Sequence, residues 1–210
     1  MQIGAHLPTR GGLMGAIDSA RACGAEAGQM WGSNPRAWAH PRADPDLARR
    51  FGEAWRAQGL GALVLHAPYM VNIASPTREF RGRSVALARA TVALAEEIGA
   101  EGVVVHAGAG GVATPREEAV AAAAASLLAI AEAAKRTSVF VELTAGGGGS
   151  VASTYLEARE LFDAAAGHDR LALCADTCIC SRPAIAWTRR RARRRASTRF
   201  AALAWRGGYA

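Results

Sequence analysis

Four side chains of metal-ligating type recur at a near-constant step along the chain: His66, His106, Glu142 and Asp176, separated by 40, 36 and 34 residues. Each follows a short apolar run: Leu63-Val64-Leu65 before His66, Val103-Val104-Val105 before His106, Val139-Phe140-Val141 before Glu142, and Leu173-Cys174-Ala175 before Asp176. A single His or Glu ending a strand is ordinarily a hydrogen-bonded structural residue. Four in phase are different, because a carboxylate on an apolar strand is costly to bury unless a cation or a donor meets it. Two imidazoles and two carboxylates converging on one rim suit zinc or a similar divalent ion.

The elements that must position these groups alternate along the chain. Strand candidates are Gln2 to His6, Gly28 to Trp31, Ala62 to His66, Gly102 to His106, Ser138 to Glu142 and Leu171 to Asp176. Helix candidates lie between them at Gly12 to Ala22, Asp46 to Gln58, Ser84 to Ile98, Pro115 to Lys135 and Ser153 to Ala166. Thr114-Pro115-Arg116-Glu117 reads as a capping residue, a proline at the first helical position and acids in the first turn. The pattern is that of consecutive βα units with parallel strands. It places all four candidate ligands at the carboxyl ends of strands, where α/β barrels build their sites.

Composition sets the outer bounds. With 210 residues, 50% of them hydrophobic and 20% charged, the chain is long enough for one large domain with a substantial core. The formal charge of +7 belongs entirely to the last stretch: residues 179–210 hold nine arginines and no acid, whereas residues 1–178 carry two more acidic than basic side chains. The start Met1-Gln2-Ile3-Gly4-Ala5-His6 lacks a basic lead followed by an apolar stretch, so a cytoplasmic protein is expected. The longest run of low polarity, Ala119 to Ala134, contains Ser126 and Glu132 and reads as a packed helix, not a membrane span. Cys23, Cys174, Cys178 and Cys180 are expected to be thiols, and the last three do not have zinc-knuckle spacing.

From Met1 through Cys178 the residues resemble the endonuclease IV family of apurinic/apyrimidinic endonucleases. The matching stretches are Ile3-Gly4-Ala5-His6 with Gly11-Gly12-Leu13; Asn34-Pro35-Arg36-Ala37-Trp38; His66-Ala67-Pro68-Tyr69 with Asn72; His106 with Gly108; Glu142-Leu143-Thr144-Ala145-Gly146; and Asp176-Thr177-Cys178. The resemblance implies a TIM (β/α)8 barrel of the xylose isomerase-like type, with about six βα units present. It implies a three-zinc site that cleaves DNA on the 5′ side of an abasic nucleotide. By this likeness His66 and His106 hold the first zinc, Glu142 bridges the first and second and is catalytic, and Asp176 binds the second. A hydroxide between the metals attacks phosphorus, so no serine or cysteine nucleophile is needed. The loop from Asn34 to Trp38 resembles the family's DNA-inserting loop, with Arg36 filling space in the base stack, and Tyr69 resembles a further DNA contact. Abasic DNA is the implied partner, and a monomer without membrane attachment is expected.

Plainer readings stand beside these. Arg36 and Trp38 also fit an ordinary surface Arg and a packing Trp. Gly146 to Gly149 lacks the Lys and Ser/Thr of a nucleotide loop and reads as a flexible βα connection. His6 is expected to be structural, and His40 and His168 to be solvated loop residues. A sugar isomerase or epimerase of the related xylose isomerase-like barrels is one rival reading; a DNA-binding fragment acting through Arg189 to Arg195 is another.

The pattern breaks after Cys178. Where the family continues with a His that binds the third zinc and a Phe-Ala-Ala-Gly-Tyr-like run, this chain has Ile179-Cys180-Ser181-Arg182-Pro183-Ala184-Ile185-Ala186-Trp187, and no His, Asp or Glu follows Asp176. Within codon degeneracy, the codons TGC ATC TGT TCG CGG CCG GCT ATC GCG TGG for Cys178 to Trp187, read from the last base of the first, spell His-Leu-Phe-Ala-Ala-Gly-Tyr-Arg-Val. The expectation is a one-base deletion at the Cys178 to Ile179 boundary, which divides the chain into a partial barrel, 1–178, and an out-of-frame Arg-rich tail, 179–210. The coding DNA tests it: bases that cannot yield that peptide in the shifted frame refute the deletion. A chain so altered is expected to bind at most one metal ion well and to be poorly soluble or inactive.

Overall fold

The computed structural model describes residues 2–176. Six strands and five helices alternate: β1 (Gly4–His6), α1 (Gly12–Ala22), β2 (Ala27–Trp31), α2 (Pro45–Ala57), β3 (Leu63–His66), α3 (Arg78–Ile98), β4 (Gly102–His106), α4 (Arg116–Ala131), β5 (Ser138–Glu142), α5 (Tyr155–Ala164) and β6 (Leu171–Cys174). The strands form one parallel sheet in sequence order, β1-β2-β3-β4-β5-β6, which is the order of a TIM barrel wall. Of the roughly six βα units expected from the sequence, five are complete among the described residues and the strand of the sixth, β6, follows them. Cys178, Cys180 and the Arg-rich stretch 179–210 lie outside the described residues.

Local signals explain most boundaries. Asp44 caps α2 by accepting from the Leu47 amide at 3.0 Å, with Pro45 at the first helical position. Thr154 and Glu157 form a reciprocal capping box at the start of α5. Three expectations shift. Helix α3 begins at Arg78, six residues before Ser84, because Thr77 turns the chain into the helix and the polar stretch with Gly82 continues it. Helix α4 is entered from Pro115, and the Thr114 hydroxyl donates to Gly110 O at 2.6 Å and caps nothing. Strand β6 ends at Cys174, so Asp176 stands two residues past it.

The sheet separates two cores. Residues of one parity face the helices: Met30, Leu63, Leu65, Val103, Val105, Val139, Val141 and Leu173 pack with Ala16, Phe51, Leu87, Leu127 and Leu161 from α1 to α5. Residues of the other parity form the layer that lines a barrel, with Val64, Val104, Phe140 and Ala172 in mutual contact and Cys174 against them. The Phe140 ring occupies the space over Gly102, where a Cβ would sit 1.8 Å from a ring carbon, so this inner layer needs glycine there. Following the same parity toward the carboxyl ends leads from Val64 to His66, from Val104 to His106 and from Phe140 to Glu142. The apolar plug beneath and the ligand set above are thus successive layers of one face.

Candidate metal centre

His66, His106 and Glu142 end three adjacent strands, and one potential ligand atom from each lies within 4.8 Å of the others. His106 is paired directly with Glu142 in the sheet, whereas His66 is level with Val104. Both imidazoles turn Nε2 to the same carboxylate oxygen: His66 Nε2 is 3.1 Å and His106 Nε2 is 3.3 Å from Glu142 Oε2. His66 and Glu142 are buried, while the His106 side chain keeps 33% exposure and opens the group toward solvent.

The hydrogen bonding of His66 bears on what this group can hold. Its Nδ1 is 2.7 Å from Ala67 O, and a carbonyl oxygen only accepts, so Nδ1 carries the hydrogen. In a neutral ring Nε2 then aims a lone pair at a carboxylate that is itself only an acceptor. Such a contact is favourable only with a positive charge on the ring or between the two groups. The backbone carbonyl behind a His ligand is the usual device that fixes the tautomer able to bind a metal. The donor set therefore fits a divalent cation. Burial alone would push the Glu142 carboxyl up, but hydrogen bonds and charge from His106 and His66 outweigh it and hold it at about 2.

Asp176 is partly buried and does not join the three-residue group among the described residues. Asn34 and Arg36 are exposed on the loop after β2, at the same end of the sheet as the ligands. The Asn34 side chain accepts from the Arg36 amide at 3.0 Å, which shapes the turn that presents Arg36. Trp38 packs: its ring meets Phe80 edge-on at 5.0 Å and lies under the Arg83 guanidinium at 4.5 Å, pinning the loop to α3. Tyr69 is 54% exposed and its ring stands 6.4 Å from that of His106.

A model of the family described as xylose isomerase-like TIM barrel matches residues 17–200. This chain belongs to that family. Among xylose isomerase-like barrels it is similar to the probable endonuclease 4 of Streptomyces avermitilis, with 36% identity over 84% of this chain and 58% of that protein. It is similar in structure to endonuclease IV from Thermus thermophilus, at a TM-score of 0.68 and 33% identity, covering 85% of this chain and 63% of that one. The L-ribulose 3-epimerase structure, at a TM-score of 0.66 and 22% identity over 85% of this chain and 61% of that one, shares the fold. The chain spans about three fifths of the length of the curated relatives it matches.

The xylose isomerase-like barrel adds neighbours that sequence reasoning passed over. Trp31, level with His66 on β2, has its ring centroid 4.5 Å from His66, 4.6 Å from Tyr69 and 5.2 Å from His6. Its signal was available in the parity of β2, since Gln29 and Trp31 share the phase of His66. His6, expected to be structural, belongs to this ring cluster. Gln29 Nε2 donates to its Nδ1 at 3.0 Å, and burial, with the neighbouring His66, holds His6 down at about 4, so the ring is neutral near pH 7. His40 is exposed as expected, while His168 is partly buried with its Nδ1 accepting from the Arg170 amide at 3.2 Å.

Proposed function

We propose that this chain is the metal-ligating part of a zinc-dependent DNA-repair endonuclease that hydrolyses the phosphodiester 5′ to abasic sites. The observation that carries the reading is the convergence of His66 and His106 Nε2 on one buried oxygen of Glu142, within a chain similar to endonuclease IV. Zinc bound there supplies Lewis-acid charge for a phosphodiester oxygen. Glu142 compensates the cation's charge, and its low pKa keeps it ionised throughout the physiological range. The partly open His106 side faces the approach of substrate. Tyr69 lines that approach, and Arg36, presented by the Asn34 turn, enters the gap left by a missing base, where flipping is cheap because nothing is unstacked.

The reading extends to impairment. Ile179-Cys180-Ser181 stand where the endonuclease IV pattern continues with its next ligand His, so the residues at hand supply one ligand set and part of a second. The partition into barrel 1–178 and out-of-frame tail 179–210 is part of the same proposal. The expected behaviour is one zinc ion bound per chain and zinc-dependent preference for abasic over intact duplex, with incision far slower than a whole endonuclease IV. Inserting one base after the Cys178 codon, so that the gene resumes the shifted frame, should raise incision by orders of magnitude. No zinc binding would overturn the metal reading; incision by the unaltered chain at rates typical of the family would overturn the impairment. Turnover of ketoses without action on abasic duplex would overturn the nuclease reading in favour of an epimerase.

A further inference from the structure

We propose that Asn72 is the positioning residue of the metal centre, joining the three loops that follow His66, His106 and Glu142 into one rim; the inference rests on the metal reading above. The Asn72 side chain treats Ala109 as a strand would treat its neighbour. Its Nδ2 donates to Ala109 O at 2.9 Å, and its Oδ1 accepts from Ala109 N at 3.0 Å. The same Oδ1 accepts from Ala74 N at 3.1 Å, and the Asn72 amide donates to Ser84 Oγ at 3.0 Å. The loop after β3 is thereby folded on itself and bound to the loop after β4.

On its other side the loop after β4 is paired again. Gly110 N donates to Gly149 O and Val151 N to Gly108 O, both at 3.0 Å, around an antiparallel bridge between Ala109 and Ser150. Thr144, two residues past Glu142, closes the third loop by donating its amide to Ala152 O at 3.0 Å. Residues 108–110 thus form the middle rung of a small ladder outside the main sheet, with Asn72 on one side and residues 149–151 on the other. Gly108 shows how close the fit is: its φ is +82°, and a Cβ there would stand 2.4 Å from Asn72 Oδ1.

The consequence is mechanical. His66, His106 and Glu142 come from three strands whose ends would otherwise move separately, and a cation holds best where its ligands are already spaced for it. An amide is the one side chain that offers a donor and an acceptor side by side in the geometry of a peptide. Leucine at position 72 keeps the size and loses both. Alanine at 108 keeps Asn72 and displaces it.

The test is zinc affinity by competition with a chromophoric chelator, measured on the full chain. Asn72→Leu and Gly108→Ala are each expected to weaken zinc binding about tenfold or more, the size typical of lost support behind metal ligands. Glu96→Gln, which loosens the opposite end of the barrel wall, should lower thermal stability and leave zinc affinity unchanged, separating positioning from general destabilisation. Unaltered affinity in Asn72→Leu and Gly108→Ala overturns the proposal. Should both variants fail to fold, hydrogen exchange on the unsubstituted chain decides. The amides of Ala74, Ala109, Gly110 and Val151 should gain protection together when zinc is added, and independent behaviour of the three loops overturns the proposal. A parent chain that binds no zinc removes the metal reading itself, an outcome distinct from zinc binding that ignores Asn72.

Discussion

At the residue scale the centre is a carboxylate between two imidazoles, and the sign of its charge governs what it does. Glu142→Gln keeps the shape and removes the negative charge that the cation and both rings need, so zinc affinity should fall by at least about tenfold in a calorimetric titration. In the metal-free protein the pH dependence follows from the carboxyl held at about 2, below its ordinary 4.5. A group with a lowered folded pKa adds stability that is complete above about 4.5 and lost as pH falls through about 2. Acid melts of the parent should therefore lose stability across that window, and Glu142→Gln should lose less of it. Trp31 provides an optical readout, because its ring lies 4.5 Å from that of His66. Zinc should change its emission, and Trp31→Phe should remove that change; an identical response in the variant would place the change at another tryptophan.

At the element scale the barrel wall is also held, away from the candidate ligands, by connections that have no part in ligand chemistry. Glu96, near the end of α3, accepts from the amides of Lys135, Arg136 and Thr137 at 2.8, 2.7 and 2.8 Å and so fastens the segment that leads into β5. Burial opposes its ionised form, but those amides and the Arg136 side chain hold the carboxyl at about 2. Glu96→Gln is expected to cost about 1.5–3 kcal/mol near pH 7, the range for hydrogen bonds to a charged group, read from urea melts. A loss that persists unchanged at pH 2 would contradict the charge argument. Gly102→Ala would drive a methyl into the Phe140 ring, and overpacking of this kind costs about 1–3 kcal/mol.

At the scale of the whole molecule the notable fact is the separation of charge from chemistry. The part that carries the candidate ligands has a slight acidic excess, and all of the surplus positive charge lies in residues 179–210. Deleting 179–210 should therefore abolish most affinity for intact duplex and flatten its dependence on salt, because each phosphate-bound arginine releases counterions. The preference for abasic duplex, measured as the ratio of the two affinities, should survive the deletion. Its disappearance would assign DNA recognition to the tail. Among the described residues no helix is long and apolar enough to cross a membrane, consistent with the packed-helix reading of Ala119 to Ala134.

The alternation of strands and helices, and the end of the strand at which His66, His106 and Glu142 stand, were legible in the sequence by itself. Apolar runs of parallel strands and the polar residue that closes each run are local features, and parity along a strand selects the face. Helix entries were less legible: Thr114 looked like a cap, yet its hydroxyl found Gly110 O. What the tertiary structure decided was which of the candidate ligands meet. Strand register sets His106 level with Glu142 and His66 with Val104, and among the described residues Asp176, two residues past the end of β6, stands outside the three-residue group. The contacts of Trp31 and Asn72 were decided there too, since ring contacts across β2 and β3 and an amide paired with a loop 37 residues away depend on distances in space that no spacing in the chain encodes.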